Sequence, residues 1–427
     1  MDSITRPAAS FARALHCLRC ATPYPLEYHD RDCPNCRDAA PSALAVEYDP
    51  AMLAPRPPAP SGPGLWRYGE LLPVAAGEAV SLGEGGTPLL ALPRLGALLG
   101  LEALFAKDES REPTGSFKDR LACAGVSAAR AMGKRVIVSS SSGNAGAAAA
   151  AYATRAGMPC VVFTFRGASA PLVTQMRALG ALVVYAERDD RLHLLQEGIE
   201  RFGWFPTSPF STPATGSNPL ALEGYKTLAY EMAEAMGWAV PDWVVIPVCY
   251  GDALAAIRRG FEEMVAMGWT RAVPRLVAAE VSGSLGAALA SGGDELPAFR
   301  RNAPSLATSI GADRGTFQSL DALRRSGGCA VTVGDAEILR WQALLGCEEG
   351  LWVEPSAAAA LVAVEALVAQ GRIRREERVV ILLTAGGLKD PATAAAAMPE
   401  VPAVPRDLDC ALAAMRAAYG ERAEALA

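Results

Sequence analysis

From residue 65 onward, short runs rich in valine and isoleucine alternate with longer runs rich in alanine and leucine. Buried parallel strands have the first composition and their covering helices the second, so the alternation predicts an α/β fold with a mainly parallel sheet. Ligands bind beyond the carboxyl ends of the strands in such sheets, so the loops there are expected to carry function. The runs predicted as strands are ALFAKD, RVIVSS, CVVFTF, ALVVYA, WVVIPV, RLVAAE and RVVILLT.

The composition is that of a folded globular protein. The chain has 427 residues, of which 51% are hydrophobic and 20% charged, enough for two or three domains with buried cores. A net charge of −6 disfavours nucleic acid and anionic membranes as general partners. The N-terminal segment lacks the apolar core of a signal peptide, and no run is long enough to span a membrane. Ten cysteines without an export signal then indicate a cytoplasmic protein.

Four of the cysteines form two C-x2-C pairs that are separated by twelve residues near the N-terminus. The pairs are Cys17 with Cys20 and Cys33 with Cys36. Two such knuckles supply the four soft ligands of a tetrahedral zinc site, and four thiolates leave His16 and His29 outside it. We expect a zinc-ribbon-like module with one structural Zn²⁺; the alternative is a coincidence of reduced surface thiols.

Lys118 follows a turn in the stretch PTGSFKDR, behind the first predicted strand. The Pro-Thr-Gly sequence makes the turn, and Lys118 begins the next helix or lies one turn inside it. The positive end of the helix dipole and partial burial beside Phe117 both favour a neutral amine with a lowered pKa. A neutral amine is what Schiff-base chemistry needs. The alternative is a solvated lysine paired with Asp119, and this stretch alone does not decide.

Two more loops join a predicted strand to a helix through small and polar residues. After RVIVSS come Ser141, Ser142, Gly143 and Asn144. Their hydroxyls and free N–H groups suit a carboxylate or phosphate; the alternative is a plain N-cap. After WVVIPV come Cys249, Tyr250, Gly251, Asp252, Ala253 and Leu254. Their N–H groups can hold a phosphate, although Asp252 opposes an anion unless it caps the helix; the alternative is a tight connection.

The last predicted strand ends at Thr384, and the pair Gly-Gly follows shortly after it at residues 386–387. Glycine at these positions allows close approach of the backbone to a ligand. A hydroxyl at the strand end can meet a ring nitrogen. The alternative is a glycine-rich turn without a ligand.

Taken together, these loops resemble those of fold-type II enzymes that depend on pyridoxal 5′-phosphate, especially the threonine synthases. The resemblance extends from about residue 65 to residue 390 and implies a tryptophan synthase beta-subunit-like fold, with two α/β domains and the cofactor between them. It implies a threonine synthase-like lyase that acts on an L-amino acid with a side-chain leaving group, by elimination or replacement. The stretches that carry it are LWRYGELLPV, GEGGTPLL, KDESREPTGSFKDR, SSGNAGAAAAAYATRAG, SNPLALEGYKTLAYE and LLTAGGLKD.

The resemblance also implies a role for each loop. Lys118 would link to the cofactor as a Schiff base (the internal aldimine) and then act as the base at the substrate Cα. Asn144 would hydrogen-bond the ring hydroxyl, residues 141–144 would hold the substrate α-carboxylate, and residues 249–254 would take the place of the phosphate cup. Thr384 would face the pyridine nitrogen and leave it unprotonated, which suits elimination and replacement rather than transamination. The family-level expectation for assembly is a homodimer.

Three positions depart from the family pattern. The cup is usually rich in glycine and asparagine, and residues 215–216 are usually Asn-Ser rather than Thr-Gly. In threonine synthases an arginine that helps bind the phosphate of phosphohomoserine generally follows the Asn-Pro pair by two positions, where this chain has Ala221. We therefore expect weak turnover of O-phosphohomoserine, unless another cation such as Lys107 or Lys226 replaces the arginine.

Two alternative functions stay open at this point. Loss of the arginine favours a β-eliminating enzyme, such as a serine or threonine dehydratase or a diaminopropionate ammonia-lyase. A non-catalytic zinc-ribbon protein that binds nucleic acid or a protein partner is disfavoured by the acidic charge and the intact loops. The expected division is a zinc-ribbon-like module (1–40), a Pro/Gly-rich linker (41–64), a large cofactor-binding domain (65–117 and 218–400), a small domain (118–217) and a C-terminal tail helix (401–427).

Overall fold

The computed structural model describes residues 10–55, 64–188, 190–299, 304–420 and 423, in which strands and helices alternate. The strands are β1 (Ala12–Cys17), β2 (Pro23–Tyr24), β3 (Leu44–Tyr48), β4 (Leu89–Ala91), β5 (Ala103–Asp108), β6 (Ile137–Ser140), β7 (Cys160–Thr164), β8 (Leu182–Tyr185), β9 (Phe205–Pro206), β10 (Trp243–Pro247), β11 (Arg275–Glu280), β12 (Cys329–Thr332) and β13 (Arg378–Leu383). The helices are α1 (Pro93–Leu99), α2 (Lys118–Ala131), α3 (Asn144–Arg155), α4 (Ala170–Ala178), α5 (Asp190–Phe202), α6 (Pro219–Ala235), α7 (Asp252–Ala266), α8 (Ser284–Ser291), α9 (Phe317–Arg325), α10 (Asp335–Glu349), α11 (Pro355–Ala369), α12 (Pro391–Ala396) and α13 (Leu408–Tyr419).

The larger sheet has six strands in the order β12-β11-β10-β13-β5-β4, all parallel except β4. Its central strands are buried on both faces. In β10, Val244 and Ile246 pack into one hydrophobic cluster, while Trp243 and Val245 pack into another on the opposite face. Strands that are buried on both faces are continuous apolar runs, which is why they were predictable from composition.

A second sheet has four parallel strands in the order β8-β7-β6-β9. Its strands all fall within residues 118–217, and those of the larger sheet fall in the two flanking segments. The predicted α/β fold with parallel sheets is therefore confirmed, and all seven predicted strands are present. Among the described residues, no helix combines the length and the apolar character that a bilayer crossing needs.

The N-terminal strands form a separate antiparallel sheet in the order β2-β1-β3. The linker prediction for residues 41–64 is wrong for residues 44–48, because β3 pairs with β1 along its whole length. Nearby prolines and glycines obscured this short strand in the sequence. Residues 56–63 of the predicted linker lie outside the described residues, and α13 lies within the segment predicted as a tail helix.

Helix α2, which begins at Lys118, is held in place by close packing on α6. A Cβ atom on Gly224 of α6 would lie 1.8 Å from the carbonyl oxygen of Arg120. One on Gly125 of α2 would lie 2.8 Å from the Cβ of Ala221. Real Cβ atoms do not approach neighbours this closely, so glycine at both positions lets the two helices touch through their backbones.

We predict that Gly224→Ala destabilises the protein by about 1–3 kcal/mol, because the added methyl group must push α6 away from α2. The matched control is Gly346→Ala in α10, where an added Cβ meets no atom closer than 4.0 Å. The control is expected to leave stability unchanged or to raise it by up to about 1 kcal/mol, as alanine does in a helix. Denaturant unfolding measures both, and equal stability of the two variants would contradict the close contact.

Candidate active site

A cavity of about 260 Å³ lies between the two parallel sheets, at the carboxyl ends of their strands. Its wall includes the ends of β6 and β10, the residue after β13, and the first residues of α2, α3 and α7. The location is the one where open α/β sheets bind small molecules. Every predicted ligand-binding residue of the four loops lines this cavity: Lys118, Ser141, Ser142, Gly143, Asn144, Cys249, Tyr250, Gly251, Asp252, Ala253, Leu254 and Thr384.

Lys118 is the first residue of α2, and its backbone N–H donates to Ser116 Oγ at 3.1 Å. Its Nζ lies 4.6 Å from the centre of the Phe117 ring and 5.5 Å from that of Tyr225. Burial lowers the pKa of Lys118, but the Tyr225 phenol and the Asp252 carboxylate outweigh this effect, so the pKa is raised overall. The predicted lowering of this pKa is therefore wrong, because the sequence did not reveal which side chains surround the amine.

The loop before α3 uses one serine for capping and leaves other polar groups facing the cavity. Ser141 Oγ accepts hydrogen bonds from the N–H groups of Gly143 (3.2 Å) and Gly146 (3.0 Å). Asn144 Nδ2 donates to Glu354 Oε2 at 2.9 Å, while the buried Asn144 Oδ1 has no hydrogen-bond partner in the described structure. A buried polar atom of this kind at a cavity wall is available to bind a ligand.

Glu354 lines the same cavity, and the sequence analysis missed it. It precedes α11 and is 4% exposed. Burial raises the pKa of Glu354, and the hydrogen bond from Asn144 acts against that rise. The available sequence signal was a single acidic residue between an apolar stretch and an alanine-rich helix.

The N-terminus of α7 presents backbone N–H groups to the cavity. Gly251 has φ of 88°, and a Cβ on it would lie 2.1 Å from the Cβ of Ser319, so this turn requires glycine. Residues 252–254 form the first turn of the helix, where N–H groups have no acceptor within the helix. Asp252 does not cap the helix, because its carboxylate accepts hydrogen bonds from Ser217 Oγ (2.7 Å) and Gln318 Nε2 (2.6 Å). The turn is thus suited to an anion.

Ala221 does not face the cavity. It is fully buried in α6 against Gly125 and is absent from the cavity wall. The identity of residue 221 therefore gives no basis for the expected weak binding of phosphohomoserine.

Neither of the two lysines proposed as substitutes reaches the cavity wall. Lys107 Nζ donates to Glu231 Oε2 at 2.6 Å, and Lys226 Nζ lies 3.0 Å from carboxylate oxygens of Glu223 and Glu263. Both amines are buried in these ion pairs. Arg191 of α5 lines the cavity instead, and no feature of the sequence had singled it out.

The four N-terminal cysteines come together at one end of the β2-β1-β3 sheet. Their sulfur atoms lie within 4.8 Å of one another, with Cys17 and Cys36 at 3.8 Å and Cys20 and Cys33 at 3.5 Å. A tetrahedral zinc site with Zn–S bonds of about 2.3 Å has sulfur atoms about 3.8 Å apart. The cluster thus has the ligands and the size of such a site.

Comparison with known proteins gives one family and a group of relatives. The family described as "Pyridoxal-phosphate dependent enzyme" matches residues 80–385. The threonine synthase of Methanocaldococcus jannaschii is 36% identical over 345 residues, which cover 79% of this chain and 83% of the relative. The threonine synthase of Methanosarcina acetivorans is 34% identical over 388 residues, which cover 89% of this chain and 93% of the relative.

Solved structures support the same fold at lower identity. Maize serine racemase superposes with a TM-score of 0.61 at 21% identity and covers 73% of this chain and 91% of its own. The L-serine ammonia-lyase of the fungus Rhizomucor miehei superposes with a TM-score of 0.61 at 21% identity and covers 73% of this chain and 97% of its own. At these identities the two structures show a shared fold and no more.

Proposed function

This chain belongs to the pyridoxal-phosphate dependent enzyme family, and we propose that it is a threonine synthase-like lyase acting on an L-amino acid with a side-chain leaving group. The observation that carries the proposal is the cavity itself. It brings Lys118, Asn144, the first turn of α7 and Thr384 together from loops that lie far apart in the sequence. Similarity to threonine synthases over most of the chain favours this reaction class among the activities of the family.

The cavity fits pyridoxal phosphate on three observations. The N–H groups at the start of α7 have no acceptor within the helix and suit the phosphate group. The unsatisfied Asn144 Oδ1 and the buried Thr384 at the strand end offer partners for a polar ring. Lys118 supplies the amine for a covalent link.

When bound, pyridoxal phosphate supplies an electron sink for negative charge that develops at the substrate Cα. Residues of the chain transfer the proton and bind the substrate. Lys118 Nζ accepts the proton that leaves Cα and can return it. The N–H groups at the start of α3 hold the substrate α-carboxylate, with Ser141 fixing the turn through its capping hydrogen bonds. A neutral hydroxyl at Thr384 would leave the pyridine nitrogen of the cofactor unprotonated, which favours elimination and replacement over transamination.

We predict that Lys118→Ala abolishes turnover and the covalent attachment of the cofactor. Wild-type protein reduced with borohydride should carry the cofactor on the peptide that contains Lys118, as read by mass spectrometry. The control is Lys134→Ala, a partly exposed lysine that does not line the cavity, which should keep both properties. A cofactor still fixed to the same peptide in Lys118→Ala would show that the assignment is wrong.

Arg191 is our candidate for binding the distal group of the substrate. Among the described residues that line the cavity, Lys118 and Arg191 are the cations, and Lys118 is reserved for the cofactor. Arg191 Nε donates to the Arg188 carbonyl at 3.2 Å, and its guanidinium lies 5.0 Å from the centre of the Phe165 ring. A guanidinium at the cavity wall suits a phosphate or carboxylate at the far end of a substrate.

We predict that Arg191→Ala lowers kcat/KM for O-phosphohomoserine by about 10- to 100-fold, because a hydrogen bond to a charged group contributes about 1.5–3 kcal/mol. Turnover of substrates without a distal anion should change less than about threefold. The control is Arg188→Ala, an exposed neighbour outside the cavity wall. Release of keto acid and ammonia from serine or threonine, without turnover of phosphohomoserine, would instead support the β-eliminating alternative.

We also propose that Cys17, Cys20, Cys33 and Cys36 hold one structural Zn²⁺. Elemental analysis should find one zinc per chain, and Cys20→Ser should lower this content and the hydrogen-exchange protection of the N-terminal sheet. Cys347→Ser, at an exposed cysteine outside the cluster, should change neither. Protein that is purified without chelator and contains no zinc would contradict the proposal.

A homodimer and a cytoplasmic location remain predictions. The first rests on the family resemblance, and the second on the ten cysteines. Analytical ultracentrifugation of the protein with zinc and pyridoxal phosphate bound tests whether it is a homodimer.

A further inference from the structure

Next to each cysteine pair, one side chain contacts a residue of the α/β part of the chain. Arg19, between Cys17 and Cys20, has its guanidinium 3.7 Å above the centre of the Phe317 ring. Asp32, next to Cys33, accepts a hydrogen bond from Thr215 Oγ1 at 2.9 Å. A residue next to each cysteine pair therefore links the N-terminal module to the rest of the chain.

Residues next to both contacts donate hydrogen bonds to the same carboxylate, that of Asp252. Gln318, which follows Phe317, donates from Nε2 to Asp252 Oδ1 at 2.6 Å. Ser217, two residues after Thr215, donates to Asp252 Oδ2 from Oγ at 2.7 Å and from its backbone N–H at 3.2 Å. Each oxygen of Asp252 is thus held by a side chain that lies one or two residues from a contact with the module.

The segment between these contacts is tightly packed. A Cβ on Gly216 would lie 2.4 Å from Gln318 Nε2 and 3.1 Å from Asp252 Oδ1. On the other side of Ser217, the side-chain amide of Asn218 lies 2.9 Å from Nδ1 of the fully buried His29, which belongs to the module. Ser217 lies between Thr215 and Asn218 in the chain, and both of these residues contact the module. We therefore expect a shift of Asp32 or His29 to displace Ser217 as well.

Asp252 is the first residue of α7, whose N–H groups face the cavity. Burial raises the pKa of Asp252, and the hydrogen bonds from Ser217 and Gln318, together with the charge of Lys118, act against that rise. Without these donors the Asp252 side chain would be free to turn to the N–H groups of its own helix end and compete there with an anion. The affinity of this site for phosphate therefore depends on how firmly Asp252 is held.

We propose that the metal-bound N-terminal module is a positioning element for the phosphate-binding end of α7. Arg19 and Asp32 hold Phe317 and Thr215 in place. Gln318 and Ser217 then stay hydrogen-bonded to the Asp252 carboxylate. The N–H groups at the start of α7 thus remain available to an anion. The proposal rests on the proposed function, because it assigns the phosphate of the cofactor to this helix end. It gives the module a role in cofactor affinity rather than in the chemical step.

The test measures the Kd of pyridoxal phosphate and of inorganic phosphate for full-length, zinc-loaded protein from which the cofactor has been removed. Asp32→Ala should raise both Kd values about tenfold, with kcat at saturating cofactor reduced less than about twofold. Asp32→Asn keeps an acceptor oxygen for Thr215 and should stay within about threefold of wild type. Arg31→Ala, at an exposed neighbour, is the matched control and should not change either Kd.

The second contact has its own control. Arg19→Ala should also raise both Kd values. Asp294→Ala removes the ion pairs of Asp294 with Arg19 (2.7 Å) and Arg324 (2.6 Å) but leaves the stacking of Arg19 on Phe317, so it should change neither Kd. If Asp32→Ala loses zinc, Thr215→Val is measured instead. It removes the hydrogen bond to Asp32 from outside the module, together with the 3.0 Å hydrogen bond between Thr215 and Ser211. In the double variant of Asp32 and Thr215, the effects on Kd should be less than additive.

Unchanged Kd values in Asp32→Ala and Thr215→Val, with zinc retained, would overturn the inference. So would a fall in kcat at saturating cofactor without a change in either Kd. These outcomes differ from failure of the proposed function, which Lys118→Ala tests directly. A cofactor that links to Lys118 with an affinity independent of Asp32 would leave the proposed function standing and remove only this inference.

Discussion

A buried group of charges around Arg120 fixes the helix that carries Lys118. Arg120 is fully buried, two residues into α2 from Lys118, and pairs with Glu109 and Glu231, each at 2.7 Å. Lys107, on β5, pairs with the same Glu231. Burial alone would raise the pKa of Glu231, but Arg120 and Lys107 hold it well below its usual range. Since removal of one partner from a buried ion pair costs about 3–5 kcal/mol, the start of α2 has little freedom to move.

This anchoring explains how a cavity with so many polar groups is kept open. Arg120 of α2 forms ion pairs with Glu109 and Glu231. Close to these ion pairs, α2 and α6 contact each other through glycines. At the cavity wall, the buried Asn144 Oδ1 has no hydrogen-bond partner among the described residues. Rigid surroundings and unsatisfied donors and acceptors are what a preformed small-molecule site requires.

The strands and the four loops that line the cavity could be predicted because each depends on a short local sequence. Composition gives the buried strands, and turns before a helix reveal residues such as Lys118 and Asn144. Contacts between distant segments could not be predicted in this way. Glu354 meets Asn144 across 210 residues of sequence, and the buried position of Ala221 follows from the packing of α6 on α2. The pKa of Lys118 was misjudged for the same reason, since its neighbours come from α6 and α7.

The pairing of β3 with β1 bears on how this architecture can change during evolution. Tyr48, at the end of β3, donates to Glu223 of α6 at 2.7 Å, and Lys226 lies 3.9 Å from the centre of the same ring. Deletion of the N-terminal sheet would open this buried ion cluster to water and uncover the apolar side of α6. A related protein without the N-terminal sheet should therefore also have other residues in place of the charged ones of α6. Loss or gain of the sheet should appear as a coordinated set of substitutions rather than as a simple truncation.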